Sequence, residues 1–271
     1  KHDATITNAL VCPTTRALYG LRLRQPIGGD FAFSNGALQI FLRQKYWNSY
    51  PYITKFGVDI WMTTIAVNEG FRVCQTVLGV KEHDVKDPGK DLSPMFLQVT
   101  GTMFDLMNYY EFRWRNVLKS NQGFIFGDFK FFEAERIKID LNEMLRKSYE
   151  GYEKYKDMWK AIFSKKTYNE FLVFFSRSKK NGLVIPVQLW AKIVYDYACA
   201  YNFSKQKEKE LILKSMVPLY YIRTASFVKE AEYFDDEIAD AVMEGNAGVF
   251  ERMKGYLIRR WDYYKGEKSC K

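Results

Sequence analysis

The chain contains two histidines, and one of them lies among acidic residues in a pattern that suits metal chemistry. His83 stands in KEHDVKDP (81–88), where Asp84 and Asp87 offer carboxylate oxygens. Neutral imidazole is a common metal ligand, and neighbouring carboxylates serve as further ligands or orient the ring. The alternative is a loop histidine among solvated acids. His83 is therefore a candidate metal ligand that the residues alone do not establish.

Two adjacent glycines precede an aspartate in RQPIGGDF (24–31). Glycine allows close approach of the backbone to a ligand, and the turn would expose Asp30. A carboxylate in such a position can accept hydrogen bonds from sugar hydroxyls. Gly-Gly-Asp is equally an ordinary turn signal, so both interpretations stay open.

A third candidate is Asp59 in FGVDIW (56–61), which places a carboxylate beside an aromatic residue at a predicted helix start. Aspartate is a common helix-capping residue, and spacing alone favours that role over a functional one.

Motifs of several enzyme classes are missing. The sequence has no GxSxG, HExxH, Walker loop or GxGxxG, so hydrolase triads and dinucleotide-binding folds have no support. The four cysteines lack CxxC spacing, which fits reduced thiols better than disulfides or a zinc site. No apolar run approaches the roughly 20 residues of a membrane span, and no signal-like core begins the chain. We predict a cytoplasmic protein.

A predicted helix and a predicted strand would position these candidate residues within the first 140 residues. Residues 59–68 predict a helix that starts near Asp59 and ends before Gly70. Residues 71–78 alternate apolar and polar side chains and predict a strand that stops at Gly79. Helix followed by strand indicates α/β architecture.

The residues after about Asp140 predict helices, at least four of them. Asp140 with Glu143, and Thr167 with Glu170, have the spacing of helix caps. A helix after Leu211 should end or bend at Pro218. Two apolar stripes at helical spacing predict buried faces: Trp190, Ile193, Val194, Tyr197 and Tyr201, and then Phe250, Met253, Leu257 and Trp261.

Composition indicates a folded globular protein, since 47% of the 271 residues are hydrophobic and 17% aromatic. The net charge is +9. Counting by halves, residues 145–271 carry 24 basic and 17 acidic residues, a net +7. A basic chain can meet nucleic acid or an anionic membrane. Here basic and acidic residues alternate along helices, which favours solvated helix faces, and we predict no nucleic-acid partner.

Three motifs in this order, QPIGGDF, FGVDIWMTT and LGVKEHD, resemble the second half of the catalytic domain of retaining GT-A glycosyltransferases. The similar enzymes are of the glucosyl-3-phosphoglycerate synthase and mannosylglycerate synthase types, which make glucosylglycerate and its relatives (glycosyltransferase families 81 and 78). The resemblance covers roughly residues 1–107, and the helical tail resembles that of bacterial members. It implies an α/β, Rossmann-like half in residues 1–140, holding the acceptor and metal side, and an all-helical extension in residues 141–271.

The resemblance also implies roles for single residues. His83 would complete the coordination of Mg²⁺ or Mn²⁺ at the nucleotide diphosphate. Asp30 would bind hydroxyls of the donor sugar, with Gly29 allowing the approach. Asp59 would orient the acceptor hydroxyl as the catalytic residue, and Thr7 would lie in the acceptor-binding loop.

Two departures from the family pattern matter. Thr5 stands where the phosphoglycerate-accepting enzymes have arginine, and without a guanidinium a bidentate phosphate contact is lost. This favours glycerate or another small hydroxy acid as acceptor. The family's metal-binding Asp-x-Asp occurs nowhere in the sequence. We therefore expect the nucleotide-binding half to precede residue 1.

The resulting expectation is a metal-assisted hexosyltransferase that uses a UDP- or GDP-hexose and a glycerate-like acceptor. Charge develops on the leaving diphosphate, where a divalent ion would stabilise it. The alternative is a noncatalytic, basic helical module that binds a protein partner or an anionic surface. The aromatic helices of the tail are candidates for a homodimer interface, although no specific motif marks one.

Overall fold

The computed structural model describes residues 5–43, 47–48, 50–78, 93–127, 140–181 and 184–269. Helices predominate throughout this part of the chain. In the first 127 residues a π-helical stretch (Thr7–Val11) continues into α1 (Cys12–Tyr19), and α2 (Asn35–Phe41), α3 (Val58–Asn68), α4 (Ser93–Tyr109) and α5 (Glu111–Trp114) follow. The described residues after 140 form α6 (Leu141–Ile162), α7 (Lys165–Asn181), α8 (Val187–Phe203), α9 (Gln206–Glu230) and α10 (Asp236–Ser269).

The described strands are short and form two separate parallel pairs. β1 (Leu21–Arg22) pairs with β3 (Asn121–Gln122), and β2 (Cys74–Thr76) pairs with β4 (Phe124–Phe126). The predicted strand over 71–78 is confirmed only at its centre, although exposure alternates along the whole segment. The all-helical nature of the described C-terminal residues is confirmed. The Rossmann-like arrangement of residues 1–140 stays a prediction.

Helix α3 follows its sequence signals closely. Asp59 lies in its first turn, where a negative charge is favourable beside the unpaired amide groups. Gly70, just past the helix end, has φ +82°, a left-handed conformation that side chains disfavour. The predicted start and end of this helix are confirmed.

Of the two predicted caps in the helical part, one is confirmed and one is wrong. The Asp140 carboxylate accepts a hydrogen bond from the Glu143 amide at 3.0 Å and caps α6. The cap of α7 is Ser164 rather than Thr167, because the Ser164 hydroxyl accepts the Thr167 amide hydrogen bond at 3.1 Å. Thr167 lies inside the helix, where its hydroxyl pairs with Ser164 and with Tyr256.

Helix α9 does not end at Pro218. The sequence predicted that the helix would either end or bend there, and the first of these predictions is wrong. Proline removes one helix hydrogen bond and crowds the preceding turn. The helix nevertheless continues to Glu230. The indole of Trp159 donates to the Ser215 carbonyl at 2.9 Å, and the hydroxyl of Ser148 donates to the Pro218 carbonyl at 3.3 Å. Helix α6 therefore supplies partners around the proline.

Buried hydrophobic residues in the described part of the chain form two clusters, and the larger one runs through both the N-terminal and the C-terminal part. It includes both predicted stripes, with Trp190, Leu257 and Trp261 fully buried, together with Leu10, Leu18 and Phe104 from the N-terminal part. The predicted division into residues 1–140 and 141–271 coincides with the start of α6, and it stays a prediction. Across the described ranges, no helix combines the length and apolarity that crossing a bilayer requires.

Candidate functional site

The first two sequence motifs meet in the structure. The Thr63 hydroxyl of α3 donates a buried hydrogen bond of 2.8 Å to the carbonyl of Pro26, in the loop that carries Gly-Gly-Asp. Asp59 is four residues before Thr63, so both lie on the same face of α3. The helix face that carries Asp59 is therefore the one that packs against the loop before Asp30.

The strand that leads into the third motif is attached to the same loop. The backbone amide of Arg24 donates to Oε1 of Gln75 at 2.6 Å, and Nε2 of Gln75 donates to the Arg22 carbonyl at 3.3 Å. Gln75 lies on β2, and the chain from β2 continues into residues 78–84, LGVKEHD. One side chain thus ties β2 to the backbone that immediately precedes QPIGGDF.

The Gly-Gly-Asp segment forms a turn that exposes its aspartate. Gly28 donates to the Gln25 carbonyl at 3.1 Å, and Gly29 has φ +83°. Only glycine adopts this conformation without strain. Asp30 follows directly and is exposed. The predicted placement of this carboxylate at a turn is confirmed, while its role towards sugar hydroxyls stays a prediction.

Gly57 is required by a close approach at the start of α3. A Cβ atom there would lie 2.2 Å from the Thr102 hydroxyl of α4 and 2.7 Å from the Tyr52 carbonyl. A Cβ atom does not approach non-bonded atoms this closely, so α3 can begin this close to α4 only with glycine. Asp59, two residues on, is half-buried.

The other predicted site residues fall in different places. Thr7 is buried in the π-helical stretch, with 3% of its surface exposed. His83 lies outside the described residues, as do Asp84 and Asp87. Among the residues that are described, no group of three potential metal ligands occurs, so the metal role of His83 stays a prediction.

Helix α10 is bound to the loop region by charge. The Arg24 guanidinium donates to Asp240 of α10 and to the side-chain oxygen of Asn8, both at 2.7 Å. Arg16 of α1, which is buried, pairs with Glu244 and Glu251 of the same helix. The C-terminal helix therefore belongs to the surroundings of the candidate site.

A cavity lies between the N-terminal stretch, α9 and α10, beside Asn8 and Arg24. The space inside it that the centre of a water molecule can reach is about 10 Å³, enough for about one water. The cavity is lined by Thr5, Asn8, Ala9, Arg223, Thr224, Phe227, Met243 and Asn246. Thr7, predicted for the acceptor, is not among the residues that line it.

Arg223 is the residue in this cavity that sequence reasoning missed. Only 2% of it is exposed. Burial lowers the pKa of Arg223, and Glu230, 3.5 Å away, opposes that shift. Nη1 of Arg223 has no hydrogen-bond partner within the described ranges. The signal available in the sequence was a single arginine inside the otherwise uncharged run PLYYIRTASFV (218–228).

Comparisons with known proteins assign neither a family nor a function to this chain. No family model, curated protein or solved structure matches this chain.

Proposed function

We propose that the chain is part of a retaining glycosyltransferase that moves a hexose from a nucleotide sugar to glycerate or a similar small hydroxy acid. The observation that carries the proposal is the hydrogen bond between the QPIGGDF and FGVDIWMTT segments, together with the attachment of β2 to the same loop. Thr63 links α3 to the Pro26 carbonyl, and Gln75 links β2 to Arg22 and Arg24. Two segments that resemble a glycosyltransferase in sequence order are thus also neighbours in space, whereas the third motif lies outside the described residues after Leu78.

The geometry of the turn and of α3 suits the roles that the resemblance assigns. The exposed carboxylate of Asp30 follows a glycine with positive φ, so the backbone before it is open to a bulky hydroxylated ligand. Asp59 is held on a helix whose start is fixed by Gly57. We assign Asp30 and Gly29 to the donor sugar and Asp59 to the acceptor. Thr7 is buried, so its acceptor role rests on the resemblance alone.

The chain's own contribution to the reaction is positioning. Holding the acceptor hydroxyl against the anomeric carbon turns an encounter of two molecules into a step within one complex. Asp59 orients that hydroxyl by accepting its hydrogen bond. We propose His83 as a ligand of Mg²⁺ or Mn²⁺, which would supply positive charge for the leaving diphosphate.

Calorimetric titration of the full-length protein tests the proposal. UDP-glucose and GDP-glucose are added with and without Mn²⁺ to the wild type, to His83→Ala and to Asp30→Asn. We expect metal-dependent binding of one donor that is weakened in both variants. Asp157→Asn, an exposed carboxylate on α6, is the matched control and should bind like the wild type.

Absence of donor binding by the intact, folded protein would contradict the proposal. The noncatalytic module would then be the better hypothesis. Its own signature is binding to an anionic partner that falls steeply as salt is raised.

A further inference from the structure

An exposed apolar surface lies around helix α2, directly after the Gly-Gly-Asp turn. Four large side chains there are partly exposed and together form the α2 patch: Phe31 (36%), Phe33 (44%), Leu38 (41%) and Leu42 (58%). Single exposed apolar residues are ordinary on a protein surface. A continuous group of them marks a place where the protein meets another apolar surface.

Ring contacts and helical spacing make the α2 patch continuous. The ring of Phe31 stacks on that of Phe33 at 6.0 Å between centroids, and Phe33 contacts Phe41 edge-on at 5.2 Å. Leu38 lies three residues before Phe41 and four before Leu42, and side chains at these spacings are neighbours on one helix face. The four exposed side chains therefore form one surface next to Phe41.

The α2 patch has a rigid support beneath it. Ala37 and Phe41 of α2 belong to the smaller hydrophobic cluster, together with Ile53, Trp61, Ile65, Leu106 and Tyr110. The Ser34 hydroxyl accepts a hydrogen bond from the Ala37 amide at 3.3 Å and caps the helix. Because the inward face of α2 is fixed by this packing, its exposed leucines can meet a partner at little cost in ordering.

The segment that carries the α2 patch is positively charged. Residues 31–58 contain three basic residues and no acidic residue, and Asp30 and Asp59 border the segment on its two sides. Arg43, directly after the last residue of the patch, and Lys55, in the turn before α3, are both exposed. Large apolar side chains with lysine and arginine beside them are typical of protein surfaces that lie on anionic membranes.

We propose that the α2 patch binds the surface of an anionic lipid membrane. The four apolar side chains enter the boundary between headgroups and acyl chains, and Arg43 and Lys55 lie at the level of the negatively charged headgroups. The attachment is peripheral and reversible. It goes beyond the proposed function and does not depend on sugar transfer.

A second copy of the chain fits this surface less well than a membrane does. A two-fold contact would bring Arg43 and Lys55 of two copies together in a segment without acidic residues, and like charges repel. A large aromatic side chain has at most about 250 Å² of surface. Four side chains, each about half exposed, therefore offer less than the roughly 800 Å² per partner that a stable protein interface buries.

Co-sedimentation of the full-length protein with lipid vesicles tests the proposal. One set of vesicles contains about one third phosphatidylserine in phosphatidylcholine, and the other contains phosphatidylcholine alone. We expect the wild type to sediment with the anionic vesicles at low salt and less so as salt is raised. Binding to phosphatidylcholine alone should be much weaker, because the basic residues then have no counter-charge.

Leucine substitutions separate the α2 patch from the rest of the surface. Leu38→Gln combined with Leu42→Gln should weaken binding to anionic vesicles at least about tenfold, because two inserted apolar side chains are lost. Leu211→Gln combined with Ile238→Gln is the matched control, since these residues are exposed at 48% and 47% on α9 and α10. The control should bind like the wild type.

Charge substitutions separate the basic residues beside the patch from the net charge of the chain. Arg43→Gln combined with Lys55→Gln should lower the affinity for anionic vesicles about 25-fold, at about fivefold for each basic residue near the surface. Lys207→Gln combined with Arg259→Gln alters two exposed residues of α9 and α10. This control lowers the net charge equally and should leave the affinity nearly unchanged.

Several results would overturn the proposal. One is a wild type that does not sediment with anionic vesicles, and another is equal binding by the wild type and the folded leucine variant of the patch. Binding lost in the Lys207 and Arg259 variant instead would assign it to the basic C-terminal helices. Dimers that the leucine substitutions in the patch dissociate, without any vesicle binding, would assign the patch to a second copy.

Discussion

Single buried polar side chains organise the packing of several helices. Asp196 of α8 is fully buried, and its carboxylate accepts hydrogen bonds from Arg260 at 2.6 Å, Tyr256 at 2.7 Å and the Ser164 amide at 3.0 Å. Burial raises the pKa of Asp196, and the charge of Arg260 opposes that shift. One side chain thus joins α8, α10 and the start of α7.

Asp196→Asn should destabilise the protein by about 3 kcal/mol, because Arg260 loses its buried counter-charge and the amide must place a donor among donors. Urea unfolding followed by circular dichroism measures the change. Asp157→Asn provides the control on an exposed carboxylate and should unfold like the wild type. If Asp196→Asn left the midpoint of urea unfolding unchanged, the hydrogen bonds to the Asp196 carboxylate would contribute nothing to stability.

Thr63 allows a residue-scale test of the link between α3 and the Gly-Gly-Asp loop. Thr63→Val keeps the shape but leaves the buried Pro26 carbonyl without its donor, which costs about 1–3 kcal/mol. Thr63→Ser retains the hydroxyl and should lose less. If the proposed function holds, donor affinity should fall in the valine variant and recover in the serine variant. Equal unfolding free energies for both variants would contradict a role for this hydrogen bond.

At the scale of elements, the close contact between α6 and α9 depends on one glycine. A Cβ atom on Gly151 of α6 would lie 2.2 Å from Cβ of Pro218 on α9. The proline ring therefore occupies the space that the glycine leaves open. This contact explains why a proline is accommodated at the centre of α9, where the sequence suggested an end.

Gly151→Ala should destabilise the protein by about 1–3 kcal/mol, since the added methyl group forces α6 and α9 apart. Gly245→Ala on α10 is the matched control, because an added Cβ there meets nothing within 4 Å. Alanine should stabilise that exposed helix position by about 0.5–1 kcal/mol. Thermal unfolding of the two variants should shift in opposite directions, and a parallel shift would argue against the contact.

At the scale of the whole molecule, Lys254 connects three parts of the chain. Its ammonium group, on α10, donates to the Val117 carbonyl at 2.7 Å and to the Leu18 carbonyl at 3.3 Å. Burial lowers the pKa of Lys254 to about 8, whereas an unfolded lysine titrates near pH 10.4. The unfolded state therefore binds more protons between about pH 8 and 10.4.

Stability should rise with pH in that window, because the cost of burying the charged form is complete below about pH 8 and is relieved above it. The slope from one such group is at most about 1.4 kcal/mol per pH unit. Lys254→Met removes this titration. Unfolding free energies of wild type and variant, measured from pH 7 to 10.5, should diverge as pH rises. Parallel curves would contradict the shifted pKa.

The sequence by itself determined those helices whose caps, ends and apolar spacing depend on residues only a few positions apart. The helix from Val58 to Asn68, its end before Gly70, the Asp140 cap and the buried stripes of α8 and α10 were all predicted correctly. Each depends on spacing along one helix or on the backbone preference of one residue. The Ser164 cap was missed because Thr167 with Glu170 offers the same local spacing.

Only the tertiary structure decided which segments that are distant in the chain contact one another. Pro218 stays inside α9 because Gly151, Ser148 and Trp159 of α6 accommodate it. The resemblance suggested that the Gly-Gly-Asp and GVD motifs belong together, but Thr63 and Pro26 are 37 residues apart and no local spacing predicts their hydrogen bond. Arg223 reaches the cavity beside Thr5 from more than two hundred residues away. A buried charge facing a cavity is a property of packing, which no periodicity in the chain encodes.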